Sequence, residues 1–263
     1  MADVSILLTN DDGIDSPGFR ALYDALSEVA DVTAVAPATD QSAVGRAISL
    51  SGGIAVEDHE LGYAVDGTPS DCVIAGLEEL VPGTDVLVSG CNKGANLGAY
   101  VLGRSGTVSA AVEAAFLGVP AIATSMYVPI EEDVAFHEFE TAPEDYAEAA
   151  SATRYLAEHA LDVGVFDHAD YLNVNAPMHA GEPAEMEITR PSQVYDHDAV
   201  HEGGQVRLVD RMWEQMASGE VPDPEGTDRR AVVEGRVSVS PLTAPHTTRH
   251  HEALDALAET YPA

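Results

Sequence analysis

The sequence predicts an α/β fold: a Rossmann-like, mostly parallel sheet with helices on both faces, followed by a β-rich C-terminal extension and a terminal helix. Three observations predict it. The chain opens on a short apolar run that ends in a polar loop and a helix start. Apolar runs of strand length then alternate with helical patterns as far as residue 180. Beyond that point the pattern changes to residue-by-residue alternation. The expected division is an α/β core over residues 1–180 and a β-hairpin extension with a terminal helix over residues 181–263.

Residues 4–9 (VSILLT) are apolar and lead into Asn10-Asp11-Asp12-Gly13, as in a buried strand with a loop at its carboxyl end. Ser16-Pro17 opens a helix, a capping residue followed by proline in the first turn. Phe19, Leu22, Tyr23 and Leu26 recur at helical spacing and should face the sheet. Residues 32–36 (VTAVA) form the next strand, stopped by Pro37, and strand–helix–strand in this order starts a parallel sheet. Thr68-Pro69-Ser70-Asp71 precedes a helix carrying Cys72, Val73, Ala75 and Leu77. Residues 85–89 (DVLVS) are a strand leading to a Gly/Asn-rich loop, residues 107–117 a small-residue helix, and residues 121–125 a strand. An amphipathic helix over 142–160 and a strand over 171–174 (YLNV), ended by Pro177, complete the core. Residues 187–190, 205–209 and 231–240 alternate like antiparallel strands, with a Gly/Pro/acid loop over 218–228. Residues 251–261 read as the terminal helix, with Leu254, Leu257 and Tyr261 on one side.

With 263 residues, 45% of them hydrophobic, the chain can bury one large core. Its 45 Asp and Glu against 12 Lys and Arg leave a net charge of −33, spread along the whole length rather than gathered in a tail. That distribution points to a folded protein adapted to high salt, where ions screen the self-repulsion. The same field repels polyanions, so duplex nucleic acid is not an expected partner, and a phosphate ligand needs a local site with a cation. Cys72 and Cys91 sit in apolar segments and read as buried thiols. The first eight residues contain an acid and no base, unlike a signal peptide, and no apolar stretch of about 18 residues is free of charge. The protein is expected to be cytoplasmic, without a membrane partner.

In an open parallel sheet ligands bind beyond the carboxyl ends of the strands. Residues 9–13, 37–46 (PATDQSAVGR) and 89–98 (SGCNKGANLG) lie there, and residues 103–107 start a helix. Asp11 and Asp12 are adjacent carboxylates, costly unless a proton or a hard divalent cation relieves them, although Asp-Gly also serves plain turns. Asn92 and Asn96 stand among Gly90, Gly94 and Gly98, where glycine permits close approach and the amide suits a metal or a phosphate. Lys93, the only lysine, fits either a phosphate or a solvated loop. Ser105-Gly106-Thr107 suits an anion at a helix N-terminus, and equally a simple cap. Ser42 and Arg46 in their polar loop carry little by themselves. Neither a Gly-x-Ser-x-Gly elbow, a Walker loop nor the dinucleotide fingerprint is present.

Taken together, these segments resemble the SurE survival-protein family. The resemblance rests on ILLTNDDGIDSPG (6–18), VAPATDQSAVGRAISL (35–50), GTPSDCV (67–73), DVLVSGCNKGANLG (85–98), SGTVSAAVEAAFLGVPAIA (105–123), LNVNAP (172–177) and TDRRAVVEGRVSVSPL (227–242), so it covers nearly the whole chain. It implies a metal-dependent 5′-nucleotidase acting on nucleoside monophosphates, with 3′-nucleotidase and exopolyphosphatase activity as further expectations. One Mg²⁺ or Mn²⁺ per subunit would be held by Asp11, Asp12, Ser42 and Asn92, with Asp11 and Asp12 also serving catalysis. Phosphate would rest near Asn96, Ser105, Gly106 and Thr107. Where the family commonly has His, this chain has Arg46, which binds phosphate but does not shuttle a proton near neutral pH. Arg46 therefore keeps open an alternative, a non-catalytic, metal-dependent nucleotide-binding or sensing protein. The family likeness also implies a homodimer or homotetramer built through the C-terminal hairpin and helix.

Overall fold

The computed structural model describes residues 4–129, 139–179, 181–246 and 252–260. The elements in order are β1 (Ser5–Thr9), α1 (Pro17–Leu26), β2 (Asp31–Pro37), β3 (Val56–His59), β4 (Gly62–Val65), α2 (Pro69–Ala75), β5 (Val86–Lys93), α3 (Ala99–Leu102), α4 (Gly106–Phe116), β6 (Ala121–Tyr127), α5 (Ala147–His159), β7 (Tyr171–Pro177), β8 (Met186–Ile188), β9 (His197–Glu202), β10 (Gln205–Asp210), α6 (Met212–Ala217), α7 (Asp228–Val233), β11 (Val237–Leu242) and α8 (Glu252–Glu259). A nine-stranded sheet runs β3-β4-β2-β1-β5-β6-β7-β11-β8, and β9 and β10 pair with each other alone. From β4 through β7 each neighbour is parallel, whereas β3 and β11 enter antiparallel.

Helices on both faces explain why the strands are unbroken apolar runs rather than alternating ones. In β1, Ile6 and Leu8 face a core layer with Phe19, Leu22 and Leu26 of α1 and Ala149 of α5. Leu7 between them faces the opposite layer with Val73 of α2 and Ala110, Ala111 and Ala114 of α4. The proline of α1 occupies the first turn, as expected. Gly18 lets that helix lie on the end of β5, since a Cβ there would come within 2.2 Å of the Cys91 carbonyl oxygen. Thr68 and Asp71 form a reciprocal capping box that starts α2.

The C-terminal third departs from the expected pattern. Residues 231–240 are not one strand: α7 ends at Val233, Gly235 turns the chain at φ +78°, and β11 begins at Val237. The Thr227-Asp228 helix start outcompetes the alternation, which a short helix burying Ala231 and Val232 also satisfies. β11 pairs antiparallel with β7 and parallel with β8, so the main sheet takes in chain from both sides of residue 180. Residues 205–209 do lie in an antiparallel hairpin, closed by Gly203 and Gly204 at positive φ. The segment expected as one helix over 142–160 opens as a 3₁₀ turn, Pro143–Tyr146, before α5. α8 occupies the expected terminal helix; His251, Tyr261 and the side chains of Leu254 and Leu257 lie outside the described residues. Cys72 and Cys91 are free and buried. No described helix is long and apolar enough to cross a membrane.

Candidate active site

The chain runs from β1 to β2 on one side and returns to β5 on the other, so the carboxyl ends of β2, β1 and β5 lie together at a topological switch point. Three of the expected loops meet there. Asn10 braces the first, its amide donating to the Gly13 carbonyl (2.8 Å) and to Ser16 Oγ (3.0 Å). The Asp11 carbonyl accepts the Gln41 N–H at 2.7 Å, which draws the second loop over the first.

Asp11 is buried, and its Oδ1 accepts the Thr107 hydroxyl at 2.6 Å. Gly106 makes this approach of α4 possible, because a Cβ there would fall 2.7 Å from Asp11 Oδ2. Asp12 Oδ2 accepts the Lys93 N–H at 2.8 Å. Burial pushes the Asp11 carboxyl above its ordinary range, against the pull of Thr107. Burial, and then the neighbouring Asp11 charge, push Asp12 up to about 7. Ser42 Oγ donates to Asp40 Oδ1 at 2.6 Å, leaving its oxygen lone pairs unspent by that bond. The Asn92 amide donates to the Gly94 carbonyl, so its own carbonyl oxygen is the end left for a cation. Ala43, beside Ser42, holds φ +60°, a strained conformation for a residue with a side chain.

These oxygens suit a hard cation. Among the described residues no three His, Cys, Asp or Glu side chains cluster at metal-binding separation. A set of two carboxylates plus neutral Ser and Asn oxygens fits Mg²⁺ or Mn²⁺ and suits a softer metal poorly.

The raised Asp12 carboxyl has a consequence for stability. Between its ordinary value of 3.8 and about 7 the folded protein binds more protons than the unfolded chain. Stability from this group is therefore lost as pH rises through that window. In EDTA, the melting temperature of Asp12→Asn minus that of wild type is expected to grow from about pH 4 to about pH 7 and then level off. A pH-independent difference would contradict a raised Asp12 carboxyl.

A cavity of about 580 Å³ opens here. Asp11, Ser42, Asn92, Lys93, Asn96 and Ser105 form its polar end, and Val101, Tyr127, Val128, Trp213 and Ala217 its apolar part. The expected residues are thus largely brought together, but not all in one role. Asp12 lies behind the lining, on the Lys93 N–H. Thr107 and Gly106 are buried beneath it and shape Asp11. Ser105 Oγ accepts the Val108 N–H at 3.1 Å as the cap of α4. Asn96 is nearly buried: its amide donates to Ser125 Oγ and its N–H to Asn175 Oδ1, each at 2.8 Å. Arg46 is not in the lining; it pairs with Glu113 at 2.9 Å and lies over the Phe116 ring. Arg104 and Trp213, which no sequence motif marks, also line the cavity, and Asn173 and Asn175 hold the Asn96 carbonyl. Two asparagines alternating in the buried strand β7 were the available signal for that brace.

The family model described as Survival protein SurE matches residues 6–198. The chain belongs to the SurE family. It is 67% identical over 261 residues to a protein of Haloarcula marismortui named "5'-nucleotidase SurE", covering 99% of this chain and 96% of that one. It is 61% identical over 259 residues to the protein of the same name from Haloquadratum walsbyi, covering 98% and 97%. These SurE relatives come from halophilic archaea, the setting that the acid excess predicts. The crystal structure of the SurE protein from Aquifex aeolicus superimposes with a TM-score of 0.80 at 30% identity, covering 97% of this chain and 99% of that one.

Proposed function

We propose that this SurE chain is a divalent-metal-dependent phosphomonoesterase that hydrolyses nucleoside 5′-monophosphates to nucleoside and phosphate. The observation that carries the proposal is the pair Asp11–Asp12, a buried and a half-buried carboxylate side by side at the polar end of the cavity. The names of the halophilic relatives support the nucleotidase reading. Asp11, Asp12, Ser42 and Asn92 would hold Mg²⁺ or Mn²⁺, which when bound supplies the positive charge that neutralises the phosphate and polarises its P–O bond.

The chain supplies the rest. Thr107 and the Lys93 N–H each occupy one oxygen of the acid pair, fixing both carboxylates. The remaining carboxylate oxygens orient the attacking water and take its proton. The N-terminal end of α4, capped by Ser105 at the cavity lining, places the positive end of the helix dipole toward the charge that develops on phosphorus-bound oxygen. The apolar part of the cavity takes the nucleoside and excludes water. The hairpin exposes Val206 (61%) and Leu208 (82%), which supports assembly into a homodimer or homotetramer; sedimentation in molar KCl tests it.

The deciding experiment is phosphate release from nucleoside 5′- and 3′-monophosphates and short polyphosphate in molar KCl, with Mg²⁺, Mn²⁺ or EDTA. Release is expected with either metal, highest on 5′-monophosphates, and abolished by EDTA. Folded protein that binds nucleotide with metal but releases nothing would replace this reading with a non-catalytic nucleotide sensor.

A further inference from the structure

We infer that Arg104 contacts the substrate phosphate, and that Tyr100, packed on the root of the β9–β10 hairpin, positions it; the inference rests on the phosphomonoesterase reading. In a chain of net charge −33 a phosphate dianion needs local cationic contacts. Among the described residues, Lys93 and Arg104 are the only basic ones lining the cavity. Arg46, the other arginine in the site's loops, is engaged by Glu113 and Phe116 instead. Arg104 directly precedes Ser105, the residue that opens α4.

Its guanidinium is held in place. It lies 3.7 Å from the centre of the Tyr100 ring and donates one Nη1 hydrogen bond to the Tyr100 carbonyl. That leaves other donors of the planar fork for a phosphate, with much of the side-chain freedom already spent. Tyr100 in turn packs on His197 and Tyr195, with ring centres 4.3 and 5.4 Å apart. His197 and Asp210 are register partners at the open end of the hairpin, and their side chains approach to 3.2 Å. The wall that orients Arg104 is therefore also the base from which the hairpin projects.

Steady-state kinetics with Mn²⁺ in molar KCl, on a nucleoside 5′-monophosphate and on p-nitrophenyl phosphate, tests this. Arg104→Gln is expected to raise KM about tenfold on both substrates, with kcat changed much less. Tyr100→Ala is expected to raise KM in the same sense, and Tyr100→Phe, which keeps ring and carbonyl, to restore it. An unchanged KM in Arg104→Gln overturns the inference. A rise confined to the nucleotide also overturns it, because p-nitrophenyl phosphate has no base or ribose. Restoration failing in a folded Tyr100→Phe overturns the positioning role. Wild-type protein that releases no phosphate would sink the enzymatic reading alone; calorimetric binding of inorganic phosphate with Mn²⁺, tenfold weaker in Arg104→Gln or unchanged, would then decide the role of Arg104.

Discussion

Asp12→Asn is expected to lower phosphate release on the order of 10²-fold or more at saturating metal while leaving the fold intact. Asparagine matches the shape of aspartate and keeps an oxygen to accept the Lys93 N–H, which is held at 2.8 Å in the native protein. What disappears is the charge. Without it the acid pair is halved, and a divalent cation would lose one of the two carboxylates that attract it. The folded protein should not suffer, because burial and the Asp11 charge already disfavour the ionised side chain. Two measurements separate the effects. kcat over a Mn²⁺ titration reports the metal site, and a melting curve in EDTA reports the fold. Turnover near wild type at saturating Mn²⁺ would remove Asp12 from the site; a collapsed melting curve would make it a structural residue.

The parts of the fold visible in the sequence are those written locally. β1, α1 and β2 announce themselves through a continuous apolar run, a Ser-Pro helix start and a proline stop, each within a few residues. The β3–β4 hairpin does not, because β3 is almost wholly exposed and lacks an apolar face to alternate. The site was legible in the same uneven way. Asp11, Asp12 and the Asn-rich loop follow apolar strands, so topology alone brings them together. The choice between Arg46 and Arg104 was not legible. Both sit in polar loops, and only the packing of Glu113 and Phe116 against one, and of Tyr100 under the other, separates their roles. Long-range contacts of this kind leave no pattern in the neighbouring residues.

The same limit hid Asp228, whose removal is expected to have the largest effect on stability outside the core. In the sequence it ends a segment that reads as a Gly/Pro/acid loop; in the fold it starts α7, fully buried. Its Oδ2 accepts the Gly98 N–H at 2.7 Å, and its Oδ1 accepts those of Ser192 and Arg229 at 2.9 and 2.7 Å. Burial pushes the carboxyl above its ordinary range, and these three donors offset only part of that cost. Arg229 beside it forms a buried pair with Asp223 at 2.8 Å. Gly98 ends the loop that follows Asn92 at the end of β5 and carries Asn96, so this one carboxylate ties the site loop to the C-terminal chain. Asp228→Ala leaves buried N–H groups unpaired, each costing about 1–3 kcal/mol when nothing replaces the partner. Loss of the buried charge's own cost offsets part of that, and a net destabilisation of about 3 kcal/mol is expected. For a chain of this size that is a fall of roughly 10 °C in melting temperature. Asp228→Asn should fall between, since its oxygen still serves Ser192 and Arg229 while its NH₂ meets the Gly98 N–H donor to donor. A freed Gly98 also loosens the loop bearing Asn96 and the start of α3, which leads to Arg104. Below its own melting temperature, Asp228→Ala should therefore show a raised KM as well as an early melt. An unshifted melt in molar KCl would mean that the three N–H groups find other partners and that Asp228 does not tie the two segments together.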